Sequence, residues 1–411
     1  MPRLLLITHR ALDQAGGPSA RWRSLSRHLP ELGWQVDVLS APSHPTSSEF
    51  ALDMTQQRFV ARRAGLMSPL RTVAGPFFRL LGTRPLPLST LWIARGVIEA
   101  RGRLRRQHYD IVVATAPPMI ALVVARLAMA SSRLPLIIDL RDLWAGNPAY
   151  DSGGRALTRA EAWVLRRAQA AVVCTPEAAI DLRGRHRTIA ARVHVVTNGF
   201  EKELLARRRA PAPRGDRMLT ILHSGTLTLY RPLTPLLRVL RREPYRSCVR
   251  LLLHGYLVPE LAREARAAAA HCEIEILRSS TWNDAVERIA AADVALITQA
   301  RSAGDATAVA SKVYEYLALG KPVLCLSDGG ATEALLRRLG AHRWCARLHD
   351  EEAIAAAIDD LLACTPPPLS PDALAPYDRL RLAAAMSELL DSAAGVARTG
   401  VSSETALSAA R

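Results

Sequence analysis

The sequence predicts an α/β protein built from two doubly wound, Rossmann-like domains, each with a largely parallel sheet. The chain has 411 residues, which is more than one compact core usually holds. Short runs that are continuous in Val, Ile and Leu alternate with helix-compatible segments, a pattern typical of buried parallel strands. The same pattern starts again near Met218, which indicates a second domain of the same class.

The first domain is predicted to span 1–200. A helix is predicted near Pro18 to Leu32, and each later strand is followed by helix-compatible sequence. The segment 202–217, "KELLARRRAPAPRGDR", is polar, contains two prolines and a glycine, and is predicted to be a linker. The strands of this domain are predicted at "RLLLITH", "WQVDVLS", "YDIVVATAPP", "LPLIIDLRD", "AAVVCTP" and "VHVVTNG".

The second domain is predicted to span 217–375, and the tail 393–411, rich in Ala, Ser and Thr, is predicted to be disordered. Its strands are predicted at "MLTILHSG", "VRLLLHG", "CEIEIL", "ADVALIT" and "KPVLCLS". Sheets of this class bind ligands outside the carboxyl ends of their strands. The two domains are therefore expected to face each other across a ligand-binding cleft.

The charge balance leaves several partners open. The net charge of +16 suits nucleic acid, an anionic membrane or a phosphorylated ligand. Residues 58–106 carry eleven arginines and a single acid, Glu99. The stretch 62–106 is thus predicted to contact an anionic membrane peripherally, with ordinary helices bearing solvated arginines as the alternative. Nucleic acid is not expected, because aromatic residues amount to only 5% and are not interleaved with a basic stripe elsewhere.

The stretch "SKVYEYLALGKPVLC" contains two of the three lysines of the chain. Ser311 is predicted to be the N-cap of a helix from Lys312 to about Leu319. Free N–H groups and the Lys312 ammonium at that end suit a phosphate, and the Glu315 carboxylate one turn later suits sugar hydroxyls. A nucleoside diphosphate needs both features, although an ordinary surface helix with a solvated Lys and Glu would show the same spacing.

Several motifs occur in a fixed order along nearly the whole chain. They are "DQAGGPSARWRSLSRHLPELGWQVDVLS", "LIIDLRDLW", "VTNGFE", "LHSGTL", "SKVYEYLALGKPV" and "APYDRLRLAAAMSELLD". Together they resemble the motifs of the GT-B-fold retaining glycosyltransferases of family 4, the group-1 type, in a subgroup that makes bacterial surface polysaccharides. The resemblance implies that the helix at 376–392 crosses back onto the first domain.

The resemblance also implies roles for individual residues. Glu315 would hold the ribose of the donor, and Ser311 and Lys312 would face its diphosphate. The other implied contacts are Gly225, Thr226 and Arg231 for the distal phosphate, Ser280 and Trp282 near the base, Gly16 and Gly17 for the approach of the first-domain backbone, and Asp139, Arg141 and Asp142 for catalysis and acceptor binding.

This sequence departs from the family pattern in two places. The glutamate usually found upstream of the ribose-binding one is replaced by "DATAVA", and the usual histidine of the first domain is replaced by "DLRD". Asp139, Arg141 and Asp142 therefore become the first-domain candidates for catalysis. The alternative for the two aspartates is a salt bridge with Arg141 that caps the following helix.

The expected activity is transfer of a sugar from a nucleotide-diphosphate sugar to a polysaccharide, glycolipid or other small acceptor, with retention of configuration. Lys312 would stabilise the charge of the leaving diphosphate. No metal and no cofactor are expected, because the eleven histidines show no paired ligand spacing and the acidic motif is DxxD rather than DxD. The alternatives are a nucleotide-sugar epimerase of the same fold and a basic nucleic-acid-binding protein. The expected location is the cytoplasm, with peripheral contact at the inner face of the plasma membrane.

Overall fold

The computed structural model describes residues 1–12, 17–41, 87–147, 155–209, 215, 217–229, 231–299, 303–364 and 367–396. The described residues form two compact units, one ending at Thr197 and resuming at Leu380, the other running from Asn198 to Arg379. Three predicted features lie wholly or partly outside the described residues. They are Gly16, residues 62–86 of the predicted membrane-contacting stretch, and the tail from residue 397.

The first unit contains a parallel sheet whose described strands follow the order β2-β1-β3-β4-β5-β6. The strands are β1 (Arg3–Ile7), β2 (Gln35–Leu39), β3 (Ile111–Ala116), β4 (Leu136–Leu140), β5 (Ala170–Val173) and β6 (Val193–Val195). Its helices are α1 (Gly17–His28), α2 (Pro87–Arg106), α3 (Ile120–Ala128), α4 (Arg155–Leu165) and α5 (Pro176–Arg185), followed by a 3-10 helix at Arg187–Arg192.

Both faces of this sheet are covered by apolar cores, which explains why its central strands consist largely of buried apolar residues. Along β1, Leu5 and Ile7 pack into one apolar core and Leu4 and Leu6 into another. The second of these cores also contains Met386 from the C-terminal helix of the chain, whose described bounds are Arg379–Ala394. That helix therefore packs on the first unit through its apolar face, which also includes Ala383 and Leu390.

The second unit contains a parallel sheet in the order β9-β8-β7-β10-β11-β12. Its strands are β7 (Leu219–Ser224), β8 (Val249–His254), β9 (Glu273–Leu277), β10 (Val294–Gln299), β11 (Val323–Ser327) and β12 (Cys345–Ala346). Its helices are α6 (Thr234–Leu240), α7 (Tyr245–Cys248), α8 (Pro259–Ala268), α9 (Trp282–Ala291), α10 (Ala303–Thr307), α11 (Lys312–Ala318), α12 (Ala331–Arg338), α13 (Glu351–Ala363) and α14 (Pro371–Leu374). The C-terminal helix at Arg379–Ala394 is α15, and 3-10 helices lie at Lys202–Arg207 and Ala375–Tyr377.

Two parallel sheets with helices confirm the predicted fold class. The predicted linker differs, because its first half packs on the second unit. Leu204 is fully buried there, and the Arg208 guanidinium donates to the carbonyls of Ala318 and Leu369 at 2.8 and 2.9 Å. The polar composition of this segment therefore did not reveal that Leu204 is an apolar anchor and that Arg208 caps the end of a helix. Among the residues that the structure describes, no helix combines the length and hydropathy needed to cross a membrane.

Candidate functional site

The second sheet reverses its winding direction between β7 and β10, and this is where doubly wound sheets bind their ligands. Gly225 leaves the carboxyl end of β7, and α11 begins at Lys312 on the chain that follows β10. The two segments meet, because a Cβ built on Gly225 would lie 2.5 Å from the Lys312 Nζ. Gly225 also has a φ of +127°, so its backbone conformation requires glycine, and a larger residue there would also displace the Lys312 ammonium.

Lys312 rests on a buried histidine. Its Nζ lies 3.1 Å from Nε2 of His223, and Nδ1 of that ring lies 3.2 Å from the Leu296 carbonyl oxygen. A carbonyl only accepts, so Nδ1 carries the proton and Nε2 accepts from the ammonium. Burial lowers the pKa of His223 well below its usual value, and the charges of Lys312 and Arg231 lower it further. The ring is therefore neutral and orients Lys312.

Two cations converge at this point. Burial lowers the pKa of Lys312 well below its usual value, the Arg231 charge lowers it further, and Glu315 opposes both. The Arg231 guanidinium donates to the Thr226 carbonyl at 3.1 Å, which fixes it beside the loop after β7. An anion placed here would relieve the repulsion between the two cations and favour the charged form of Lys312. The arrangement is suited to binding a phosphate group.

The Glu315 carboxylate lies one turn further along α11. Its Oε1 is 3.4 Å from the Trp282 Nε1 and 3.9 Å from a terminal nitrogen of Arg379. Burial raises the pKa of Glu315, and the Arg379 charge, the Trp282 hydrogen bond and the Lys312 charge act against that rise. A partly buried carboxylate beside a cation pair is a suitable acceptor for sugar hydroxyls.

A third group of side chains lies at the ends of β7 and β8. His254 links Ser224 and Ser280, with its Nδ1 3.1 Å from the first hydroxyl and its Nε2 2.9 Å from the second. Burial lowers the pKa of His254, so the ring is neutral near pH 7. Trp282 begins α9 and is 46% exposed. His254 was not predicted from the sequence, because its two partners lie 30 and 26 residues away.

Ser311 corrects one sequence prediction. It directly precedes α11, but its backbone is already helical, with φ −55° and ψ −29°. Within the described part of the chain its hydroxyl makes no capping hydrogen bond. Ser311 therefore occupies the predicted N-cap position but does not cap the helix with its hydroxyl, because capping by a serine side chain needs an extended backbone at that residue. The helix itself is slightly shorter than predicted, since α11 ends at Ala318.

Asp139 occupies the interior of the first unit. It lies on β4 with no exposed surface, and its Oδ2 accepts from the Trp22 Nε1 at 2.7 Å and from the Thr115 hydroxyl at 2.8 Å. Its Oδ1 lies 3.2 Å from a terminal nitrogen of Arg21. This enclosure favours the structural alternative for Asp139, with Arg21 as the ionic partner in place of the expected Arg141.

The other first-unit candidates are more accessible. Arg141 donates from its guanidinium to the carbonyls of Ala116 and Pro117, which anchors the turn after β3. Asp142 is partly buried, and Gly17 is the first residue of α1. Asp142 and Arg141 therefore remain the acidic and basic candidates at the carboxyl end of β4.

The comparisons with known proteins agree with this architecture. Residues 16–199 match the family model described as "Glycosyl transferase 4-like domain". The chain carries a glycosyl transferase 4-like domain in a GT-B fold. This confirms the resemblance to the group-1 GT-B glycosyltransferases. A search of curated proteins found no match.

Solved structures similar to this chain have the same GT-B fold. HepE from Anabaena, whose structure was solved with UDP and glucose, shares 16% identity, with 95% of this chain and 100% of that chain covered and a TM-score of 0.64. Sucrose-phosphate synthase from Thermosynechococcus elongatus shares 15% identity, with 96% and 100% covered and a TM-score of 0.70. A putative UDP-N-acetylglucosamine 2-epimerase from Listeria monocytogenes shares 14% identity, with 96% and 97% covered and a TM-score of 0.59.

Within its second unit, the GT-B chain thus brings together six of the residues predicted to bind the donor. These are Gly225, Thr226, Arg231, Trp282, Lys312 and Glu315. Ser280 joins them through His254. Sequence reasoning missed two supporting residues, His254 and Tyr316, whose hydroxyl accepts from the Ser224 N–H at 2.9 Å.

Proposed function

We propose that this GT-B chain transfers a sugar from a nucleotide-diphosphate sugar to a saccharide or lipid-linked acceptor, with retention of configuration and without a metal or cofactor. One observation carries the proposal: the Lys312 ammonium, held by His223, lies against the backbone of Gly225 at the switch point of the second sheet. A diphosphate at this point would meet the Lys312 ammonium directly. Arg231 adds a second charge, and Glu315 is one turn away for the ribose.

The charge movement of the reaction fits these groups. The bond between the anomeric carbon and the diphosphate oxygen breaks, the acceptor oxygen bonds to that carbon, and the proton of the acceptor hydroxyl passes to the departing diphosphate. Negative charge grows on the departing diphosphate, which is where Lys312 and Arg231 are held. Because His223 already fixes Lys312, little reorganisation is needed as this charge develops.

The remaining contacts are proposed by position. Ser280 and Trp282 would lie near the base, where the exposed indole offers a stacking surface. Ser311 is exposed beside Lys312 and would reach the diphosphate with its backbone N–H. Asp142, Arg141 and the backbone at Gly16 and Gly17 would serve the acceptor side.

The proposal is tested by ligand-induced stabilisation with UDP, GDP, ADP and dTDP. A nucleotide present at about 100 times its Kd stabilises a folded protein by roughly 2.7 kcal/mol. We expect one of the four to raise the melting temperature by several degrees, and the matching nucleoside without phosphates to raise it much less. If none of the four raises the melting temperature, the proposed function is wrong.

The epimerase alternative is distinguished by the acceptor requirement. With the matching nucleotide sugar, a transferase forms a new glycoside only when a hydroxyl acceptor is present, and it releases nucleoside diphosphate. An epimerase instead converts the nucleotide sugar to its isomer without any acceptor. Product analysis with and without a saccharide acceptor therefore separates the two activities.

We also propose peripheral contact with an anionic membrane, through helix α2. Ile98 on this helix is 72% exposed, and Arg95, Arg101 and Arg105 are exposed around it. Each basic residue near an anionic surface contributes about 1 kcal/mol to binding.

Replacing all three arginines with Gln is expected to release the protein from phosphatidylserine vesicles in co-sedimentation. The matched control replaces the exposed Arg238, Arg263 and Arg266 of the second unit with Gln and should leave vesicle binding intact. Equal losses in the two triple variants would show that net charge, rather than α2, is responsible.

A further inference from the structure

The second unit holds together the two stretches of chain next to its junctions with the first. Phe200 donates its N–H to the Tyr377 carbonyl at 3.0 Å, and Arg379 donates its N–H to the Phe200 carbonyl at 3.0 Å. Phe200 is almost completely buried. The backbone of Arg379 is therefore fixed by a residue that follows the first junction by only a few positions.

The side chain of Arg379 reaches from this point to two carboxylates. One terminal nitrogen donates to Oε1 of Glu201 at 3.2 Å, and the other lies 3.9 Å from Oε1 of Glu315. The side chain of Arg379 is only 17% exposed. A guanidinium suits this task because its two terminal nitrogens point in fixed directions, whereas a lysine ammonium would be a single point charge.

We propose that Arg379 is a positioning residue for the donor site: anchored by Glu201, it holds the Glu315 carboxylate ionised and aligned to accept hydroxyl groups of the ligand. The inference rests on the proposed function, in which Glu315 accepts the ribose hydroxyls. The role is not apparent in the sequence, where Arg379 is one of many arginines and lies 64 positions beyond Glu315.

The contacts of Glu315 favour this role. The Trp282 indole and Arg379 both approach Oε1, so neither of these contacts uses Oε2. A separation of 3.9 Å is longer than a hydrogen bond, so Arg379 acts on Glu315 through its charge. Oε2 can therefore accept from a ligand while Arg379 stays in place.

Burial and the neighbouring charged groups determine whether the Glu315 carboxylate is ionised. Burial raises the pKa of Glu315, and the Arg379 charge is the largest opposing effect, followed by the Trp282 hydrogen bond and the Lys312 charge, whereas Glu201 raises the pKa. A protonated Glu315 has lost its charge and accepts hydroxyl hydrogen bonds poorly. Ligand affinity should therefore fall as the pH drops through the pKa of Glu315, and removal of the Arg379 charge should move that fall to higher pH.

The test is calorimetric titration of the full chain with whichever of UDP, GDP, ADP and dTDP binds the wild type, from pH 5 to pH 8. In Arg379→Gln, the pH at which affinity falls is expected to rise by roughly one unit, the lower end of the effect of a charge within 4–6 Å. At pH values below both midpoints this amounts to about a tenfold loss of affinity relative to the wild type, and midway between the midpoints to about a threefold loss. Arg379→Lys keeps a charge and should stay closer to the wild-type profile.

Two further variants complete the design. Arg238→Gln removes a surface charge of the same unit that pairs with Glu351, and its profile should match the wild type. Glu315→Gln should bind weakly and lose this pH dependence. Circular dichroism verifies that each variant is folded.

The outcomes separate the inference from the function on which it rests. If the wild type binds a nucleotide and Glu315→Gln weakens it, but Arg379→Gln reproduces the wild-type profile, only the positioning role is wrong. A profile displaced equally in Arg379→Lys and Arg379→Gln would also contradict it, because charge would not be the cause. If the wild type binds none of the four nucleotides, the donor site itself is refuted.

Discussion

Replacing Lys312 with Ala is expected to lower kcat by about 100- to 1,000-fold, with a smaller change in the affinity for the nucleotide sugar. Losses of this size follow removal of one fixed group that stabilises charge developing in the transition state. Lys312 is fixed in this sense, because the neutral His223 ring accepts its hydrogen bond before any ligand arrives. The measurement is kcat from initial rates, beside the Kd of the donor from calorimetry.

The chain offers a matched control in Lys202, one of its other two lysines, which is exposed. Lys202→Ala should leave both kcat and Kd unchanged. Lys312→Arg is not expected to restore activity, because a planar guanidinium does not reproduce the compact point charge that Lys312 places beside His223. Equal losses of kcat and of donor affinity in Lys312→Ala would instead assign Lys312 to ground-state binding.

Asp139→Ala is expected to destabilise the first unit by about 3–5 kcal/mol, the usual cost of breaking a buried ion pair. The substitution leaves the Arg21 guanidinium without its carboxylate and removes the acceptor of the Trp22 and Thr115 hydrogen bonds. Chemical denaturation gives the free energy of unfolding directly.

Glu99→Ala is the matched control, because Glu99 forms an exposed pair with Arg103 in the same unit and should contribute little. The isosteric Asp139→Asn separates stability from catalysis. If Asp139→Asn folds with wild-type stability but loses its activity, Asp139 is catalytic and the structural interpretation is wrong.

The strands could be predicted from the sequence because buried parallel strands need uninterrupted apolar runs. Leu4 to Ile7 show this, since alternate residues enter different cores and none faces solvent. The boundary between the two domains was harder to predict, because the segment "KELLARRRAPAPRGDR" has the polar composition of a linker. Its anchoring residues, Leu204 and Arg208, act through contacts with α11 and the segment near Leu369, which a linear pattern does not reveal.

The candidate site shows the same division. Lys312 and Glu315 were found because they lie one turn apart on a single helix. The contact between Lys312 and His223 could not be predicted, because the two residues are 89 positions apart and meet only through the strand order of the sheet. Lys321 illustrates the point, since its ammonium donates to the carbonyls of Ala290 and Ala292 at the end of α9, rather than to its own helix.

A crystal structure of the chain with the nucleoside diphosphate that stabilises it most would test the central claim directly. The account predicts diphosphate oxygens within hydrogen-bond distance of the Lys312 Nζ and of the backbone at Gly225, with a ribose hydroxyl on Glu315. A nucleotide bound elsewhere, with the Lys312 ammonium still donating to His223 and not to the diphosphate, would contradict it.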